Sequence, residues 1–128
     1  MEYQTLMSHI VTIETQVRDV HAVAAACRRM GLAAPENGIA RLFAGEVRGL
    51  LVRLPGWRYP LVLDTERGTL RYDHFEGKWG DPAELGRFQQ SYAVEKTRIE
   101  AHRRGHTVRE QTLADGTIKL TVSVGGSA

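Results

Sequence analysis

The segment from Asp81 to Gly105 constrains this chain more than any other. It opens Asp81-Pro82-Ala83-Glu84, which supplies a helix cap, a proline at the first helical position and a carboxylate at the third. Leu85, Phe88, Tyr92 and Ile99 follow at heptad-like spacing, with Glu95 and His102 continuing the same stripe. Gly105 closes it in the manner of a left-handed helix end. The predicted helix is about 24 residues long, twice the globular average.

The segments around it read as strands and one shorter helix. Ser8 to Val17 is β-branched, with His9, Val11, Ile13, Thr15 and Val17 on one face. Asp19 stands as an N-cap before Val20, Val23, Ala24, Cys27 and Met30 at helical spacing, and Gly31 ends that helix. Arg28 and Arg29 suit its negative C-terminal dipole. Pro35-Glu36-Asn37-Gly38 is expected to be a turn. Four extended stretches follow: Ile39 to Phe43, Glu46 to Leu54, Tyr59 to Asp64 and Thr69 to Phe75, the last two a hairpin across Thr65-Glu66-Arg67-Gly68. After the long helix, Thr107 to Leu113 and Thr117 to Val124 flank Ala114-Asp115-Gly116, a tight-turn signal.

The expected fold is α+β: an antiparallel sheet of six to seven short strands with two helices on one face, in the order β-α-β-β-β-β-α-β-β. Strand-helix-strand-strand occurs twice in that order, a possible echo of duplication without convincing residue repetition. With 128 residues the chain can bury about two-thirds of its unfolded surface, enough for one core. Residues 1–128 therefore read as a single domain, with 1–6 a loose extension and 125–128 a frayed tail. No apolar run approaches the roughly 18 residues needed to cross a bilayer. A lone Cys27 excludes an internal disulfide and fits a reducing, cytoplasmic setting, and on its apolar stripe it reads as core.

Charge is uneven. The formal net charge is only +2, yet Lys96, Arg98, Arg103, Arg104 and Arg109 crowd one stretch against Glu100 alone, with His102 and His106 among them. Tyr92 and Lys96 lie one helical turn apart, either as a contact surface for an acidic partner or as a core ring with a lysine beside it. Trp57 and Trp79 sit in Gly/Pro-rich loops, as interface anchors or as lids on the core. Glu95 interrupts an apolar stripe and is expected to pair with Arg98 or Arg109, or to be a desolvated carboxylate.

Catalytic and cofactor signatures are thin. His102 and His106 are four apart, but Gly105 lies between them and no third ligand is evident. Asp73 and His74, near Glu76, point to opposite faces of a strand. No nucleophile elbow and no phosphate-cradling loop is present. Neither a metal nor a cofactor is expected, and no catalytic residue is assigned.

Several pieces in their order carry a resemblance: Met7-Ser8-His9-Ile10, Val52-Arg53-Leu54-Pro55-Gly56, Phe88 to Lys96, Gly105-His106-Thr107-Val108 and Asp115 to Leu120. They resemble the hypothetical chloroplast reading frame thirty-five family, also called the domain of unknown function twelve fifty-seven, over nearly the whole chain from Met7. Tyr92, Ala93 and Lys96 match its Tyr-Ala-Tyr-x-Lys signature, and Val94 stands in place of the second aromatic. The resemblance implies no activity. Members are often encoded near ATPases of the MoxR type, which implies a protein partner.

The leading expectation is therefore a non-enzymatic adaptor that binds another protein through Tyr92, Lys96, Arg103, Arg104 and Trp57. The alternative is a nucleic-acid-binding accessory protein using Arg98, Arg103, Arg104 and Arg109 on phosphates. A third reading is a small enzyme built around Glu95, Tyr92 and His102.

Overall fold

The computed structural model describes residues 10–74 and 78–125. The readings placed on residues 1–6, on Ser8, His9, Phe75 and Glu76, and on residues 126–128 lie outside them. The elements are β1 (Ile10–Glu14), α1 (Val20–Met30), β2 (Glu36–Arg41), β3 (Glu46–Val52), β4 (Leu61–Asp64), β5 (Thr69–Asp73), α2 (Pro82–Arg103), β6 (Thr107–Thr112) and β7 (Ile118–Ser123). The architecture is α+β in the expected order. The seven strands divide into a five-stranded antiparallel sheet, β1-β5-β4-β3-β2, and a separate β6-β7 hairpin. The strand-helix-strand-strand echo is thus one of order, not of placement, because β2-β3 joins the sheet and β6-β7 does not.

The sheet's register explains the core. Ile13 pairs with Leu70, Leu70 with Leu63 and Leu63 with Leu50, so four aliphatic side chains form one row across four strands. Side chains at paired positions share a face, and this face meets Val23, Ala26 and Cys27 of α1 and Leu85, Phe88 and Tyr92 of α2. Leu61, Leu70 and Phe88 have no exposed surface at all. Removing each such side chain from water stabilises the fold by about 1.5–3 kcal/mol. A smaller cluster of Ala40, Leu42, Val47 and Val62 lies on the other face.

Both helices end where local chemistry dictates. The Asp19 carboxylate accepts from the amides of His21 and Ala22, and Gly31 at φ 72° lets Leu32 N–H reach Cys27 C=O at 2.8 Å. Asp81 caps α2 through the Ala83 amide, and after Gly105 the His106 N–H returns to Ala101 C=O at 2.9 Å. Small residues let α1 lie close: Ala22, Ala25 and Ala26 are buried, whereas Val20 is 47% exposed although it was placed on the apolar stripe.

Two expectations need correction. Pro35 to Gly38 is not a turn, because β2 already begins at Glu36 and pairs Asn37 with Leu50 and Gly38 with Gly49. Strand pairing wins over turn chemistry there, and Gly49 is a close-approach glycine: a Cβ would stand 2.6 Å from the Leu63 carbonyl oxygen. The single apolar stripe on α2 is also incomplete. Leu85, Phe88 and Tyr92 face the sheet, but Val94 and Ala101 are buried too. Val94 lies about 200° around the helix from Tyr92 and one turn beyond Gln90, whose side-chain amide donates to the Gly116 carbonyl in the β6-β7 turn at 3.4 Å. The helix is covered on two sides.

Candidate functional site

The second half of α2 was expected to carry the functional surface, and its side chains divide into a structural set and an open one. Tyr92 belongs to the first. Its hydroxyl accepts from the backbone N–H groups of Arg18 (3.1 Å) and Asp19 (3.0 Å) and donates to the Gln16 carbonyl (3.4 Å). The residue is only 6% exposed. It fixes the connection between β1 and α1, as the core-ring alternative has it: the ring is buried and the hydroxyl is occupied.

Lys96 completes the same corner. Its Nζ donates to Asp19 Oδ2 at 3.1 Å and to Glu100 Oε2 at 2.8 Å. Hydrogen bonds to Glu100 and then Asp19 raise the Lys96 ammonium above its ordinary value. Burial pushes the Asp19 carboxyl up, but hydrogen bonds from Lys96 and from the Ala22 and His21 amides outweigh it and hold it below the usual range. Asp19 therefore caps α1 and ties it to α2 at once. Lys96 stays half-buried at the rim of a groove of about 560 Å³ that it shares with Thr15, Val17, Arg18 and Tyr92.

Trp57 is likewise engaged. Its Nε1–H donates to the Asp81 carbonyl at 3.0 Å. Its ring meets Trp79 edge-on at 4.7 Å and Tyr72 at 5.6 Å. The aromatic group closes the end of the core beside the α2 N-terminus, the lid alternative rather than a free anchor. Gly80, at φ 142°, is required there, since a Cβ would lie 2.5 Å from Trp57 Cδ1.

Glu95 pairs with neither Arg98 nor Arg109. Arg29 of α1 donates from Nε to Glu95 Oε2 at 2.8 Å and grips Glu110 of β6 with both Nη atoms, at 3.2 and 2.6 Å. Arg98 Nη1 adds a third donor to Glu110 at 2.9 Å. This four-residue network joins α1, α2 and β6. The Arg29 hydrogen bonds hold the Glu110 carboxyl below the usual range, and the Glu110 contact in turn raises Arg29. Sequence reading missed Arg29 and Glu110. The one signal was a carboxylate at a strand position sharing a face with Val108, and with Leu120 across the hairpin.

What remains open is the C-terminal end of α2. Arg98, Ile99, His102, Arg103, His106 and Val108 line a groove of about 590 Å³ between the helix and β6. His106 also borders a second hollow with Lys96, Glu100, Arg104 and Val122. Arg103 Nη1 donates to Glu100 at 3.1 Å, whereas Arg104 and Arg109 form no ion pair among the described residues. The two grooves form a basic collar around the helix end, with aliphatic floors.

The proposed catalytic trio does not share one of these cavities. Tyr92 borders one groove, His102 another, and Glu95 lines neither. Asp73 is buried and accepts the Ala44 N–H at 2.7 Å, while His74 meets the Trp79 ring at 6.1 Å, so the two diverge as strand neighbours should. Among the described residues no three His, Cys, Asp or Glu side chains gather as metal ligands. Cys27 is buried and free, and burial raises its thiol above the ordinary value. No described helix is long and apolar enough to cross a membrane.

The fold and site define a small α+β protein with a basic collar at one helix end. Comparison with models of known protein families, with curated proteins and with solved structures gives no match.

Proposed function

We propose that this chain is a non-enzymatic adaptor that binds another protein through the basic collar at the C-terminal end of α2. The observation that carries the reading is the convergence of Arg98, His102, Arg103 and His106 on one open groove beside Arg104. Of the expected contact residues Tyr92, Lys96, Arg103, Arg104 and Trp57, this reading keeps Arg103 and Arg104 and adds Arg98, His102 and His106, because Tyr92 and Trp57 pack against the core. The resemblance to the chloroplast reading frame thirty-five family favours an ATPase of the MoxR type as the partner. The test is affinity capture from native lysate with nuclease present. A partner retained at fixed stoichiometry, with a shallower salt dependence than a phosphate backbone gives, supports the adaptor. Material lost to nuclease, with a steep salt dependence, supports the nucleic-acid alternative instead.

A further inference from the structure

The chemistry of the collar narrows what kind of segment it takes, an inference that rests on the adaptor reading. Arg98 and Arg103 each use a single Nη atom on Glu110 and Glu100. A guanidinium carries five N–H donors in a planar fork that fits a carboxylate, so both keep donors for an incoming acid. His102 is exposed beside them. The floors between these cations are aliphatic: Ile99 and Val108 in one groove, Val122, 39% exposed, in the other.

Two observations disfavour a nucleic-acid backbone. Glu100 and Glu110 stand among the cations and would oppose a continuous row of phosphates, whereas a peptide can place its acids between them. Single-strand binding also combines cationic grooves with aromatic stacking platforms. Here the aromatic group of Trp57, Trp79 and Tyr72 sits at the Asp81 end of α2. Roughly 16 residues of helix, from Pro82 to Arg98, separate it from the collar, a distance of about 24 Å at 1.5 Å per residue.

We infer that the collar binds an extended acidic peptide segment in which carboxylates alternate with aliphatic side chains, the acids on Arg98, Arg103 and His102 and the aliphatics on Ile99, Val108 and Val122. The probe is a short fluorescein-labelled peptide alternating glutamate with leucine, followed by anisotropy with the full chain. Its glutamine-leucine counterpart and a single-stranded oligonucleotide of equal charge serve as competitors. The expected result is binding of the glutamate peptide alone, weakened about tenfold or more by Arg103→Glu. His102→Ala/Arg104→Ala, at exposed positions, gives an independent weakening with the circular dichroism unchanged. Equal binding of the glutamine peptide, tighter binding of the oligonucleotide, or indifference to both variants overturns the inference. If the peptide fails while Arg103→Glu still abolishes capture of a lysate protein, the acidic-segment inference falls and the adaptor reading stands.

Discussion

Replacing Tyr92 with phenylalanine removes one oxygen and leaves the ring in place, so it separates the structural role of this residue from any contact role. The hydroxyl serves the N–H groups of Arg18 and Asp19 and the Gln16 carbonyl. Without it two part-buried amides lose their acceptor. Orphaning a buried donor costs about 1–3 kcal/mol, and partial access to water places each of these toward the lower half, giving about 2–4 kcal/mol together. Asp19 is both the α1 cap and the Lys96 partner, so disorder at its backbone amide also loosens that corner. For a domain of this size the loss corresponds to a melting temperature lowered by roughly 8–16 °C, at about 4 °C per kcal/mol. Equilibrium urea unfolding and calorimetry on Tyr92→Phe against wild type read it directly. A change below about 0.5 kcal/mol, the range of ordinary surface substitutions, refutes the assignment. So does loss of partner binding with stability intact.

Two further perturbations follow from the geometry. Glu110→Gln breaks the bidentate grip of Arg29 and the Arg98 bond, and is expected to cost about 1–2 kcal/mol at neutral pH. Because the folded Glu110 carboxyl lies below its ordinary 4.5, its stabilisation is complete above that value and is lost as pH falls through the folded one. Urea midpoints measured from neutral to acid should therefore converge for wild type and Glu110→Gln, and parallel curves would contradict the network's role. Gly80→Ala places a Cβ against the Trp57 ring at a backbone φ of 142°, with an expected cost of about 1–3 kcal/mol and a shifted tryptophan emission. An unchanged spectrum and midpoint would show that the aromatic lid is not tightly held.

The features legible in the sequence were those set by neighbours along the chain. Asp19 and Gly31 bound α1, and Asp81 and Gly105 bound α2, because capping is decided within a turn or two. Thr65 to Gly68 and Asp115-Gly116 marked their hairpins for the same reason. Long-range demands were hidden. Asn37 and Gly38 carry turn chemistry, yet pairing with Leu50 and Gly49 holds them in a strand. The second buried side of α2 exists only because a hairpin folds back onto it, so no stripe in the sequence announced Val94. At the site, the spacing correctly put Tyr92 and Lys96 on one surface, but not what covers them, which is the β1–α1 connection 73 to 77 residues away. Glu95 was singled out for its place in an apolar stripe, and its partner Arg29 lies 66 residues distant.

The measurement that bears most directly on the central claim is partner capture from nuclease-treated lysate by wild type, Arg103→Glu/Arg104→Glu and Tyr92→Phe, each shown to be folded at the working temperature. The account predicts that the charge-reversed variant loses the partner and Tyr92→Phe keeps it. Retention by the charge-reversed variant, or loss confined to Tyr92→Phe, would place the contact surface away from the collar and contradict the account.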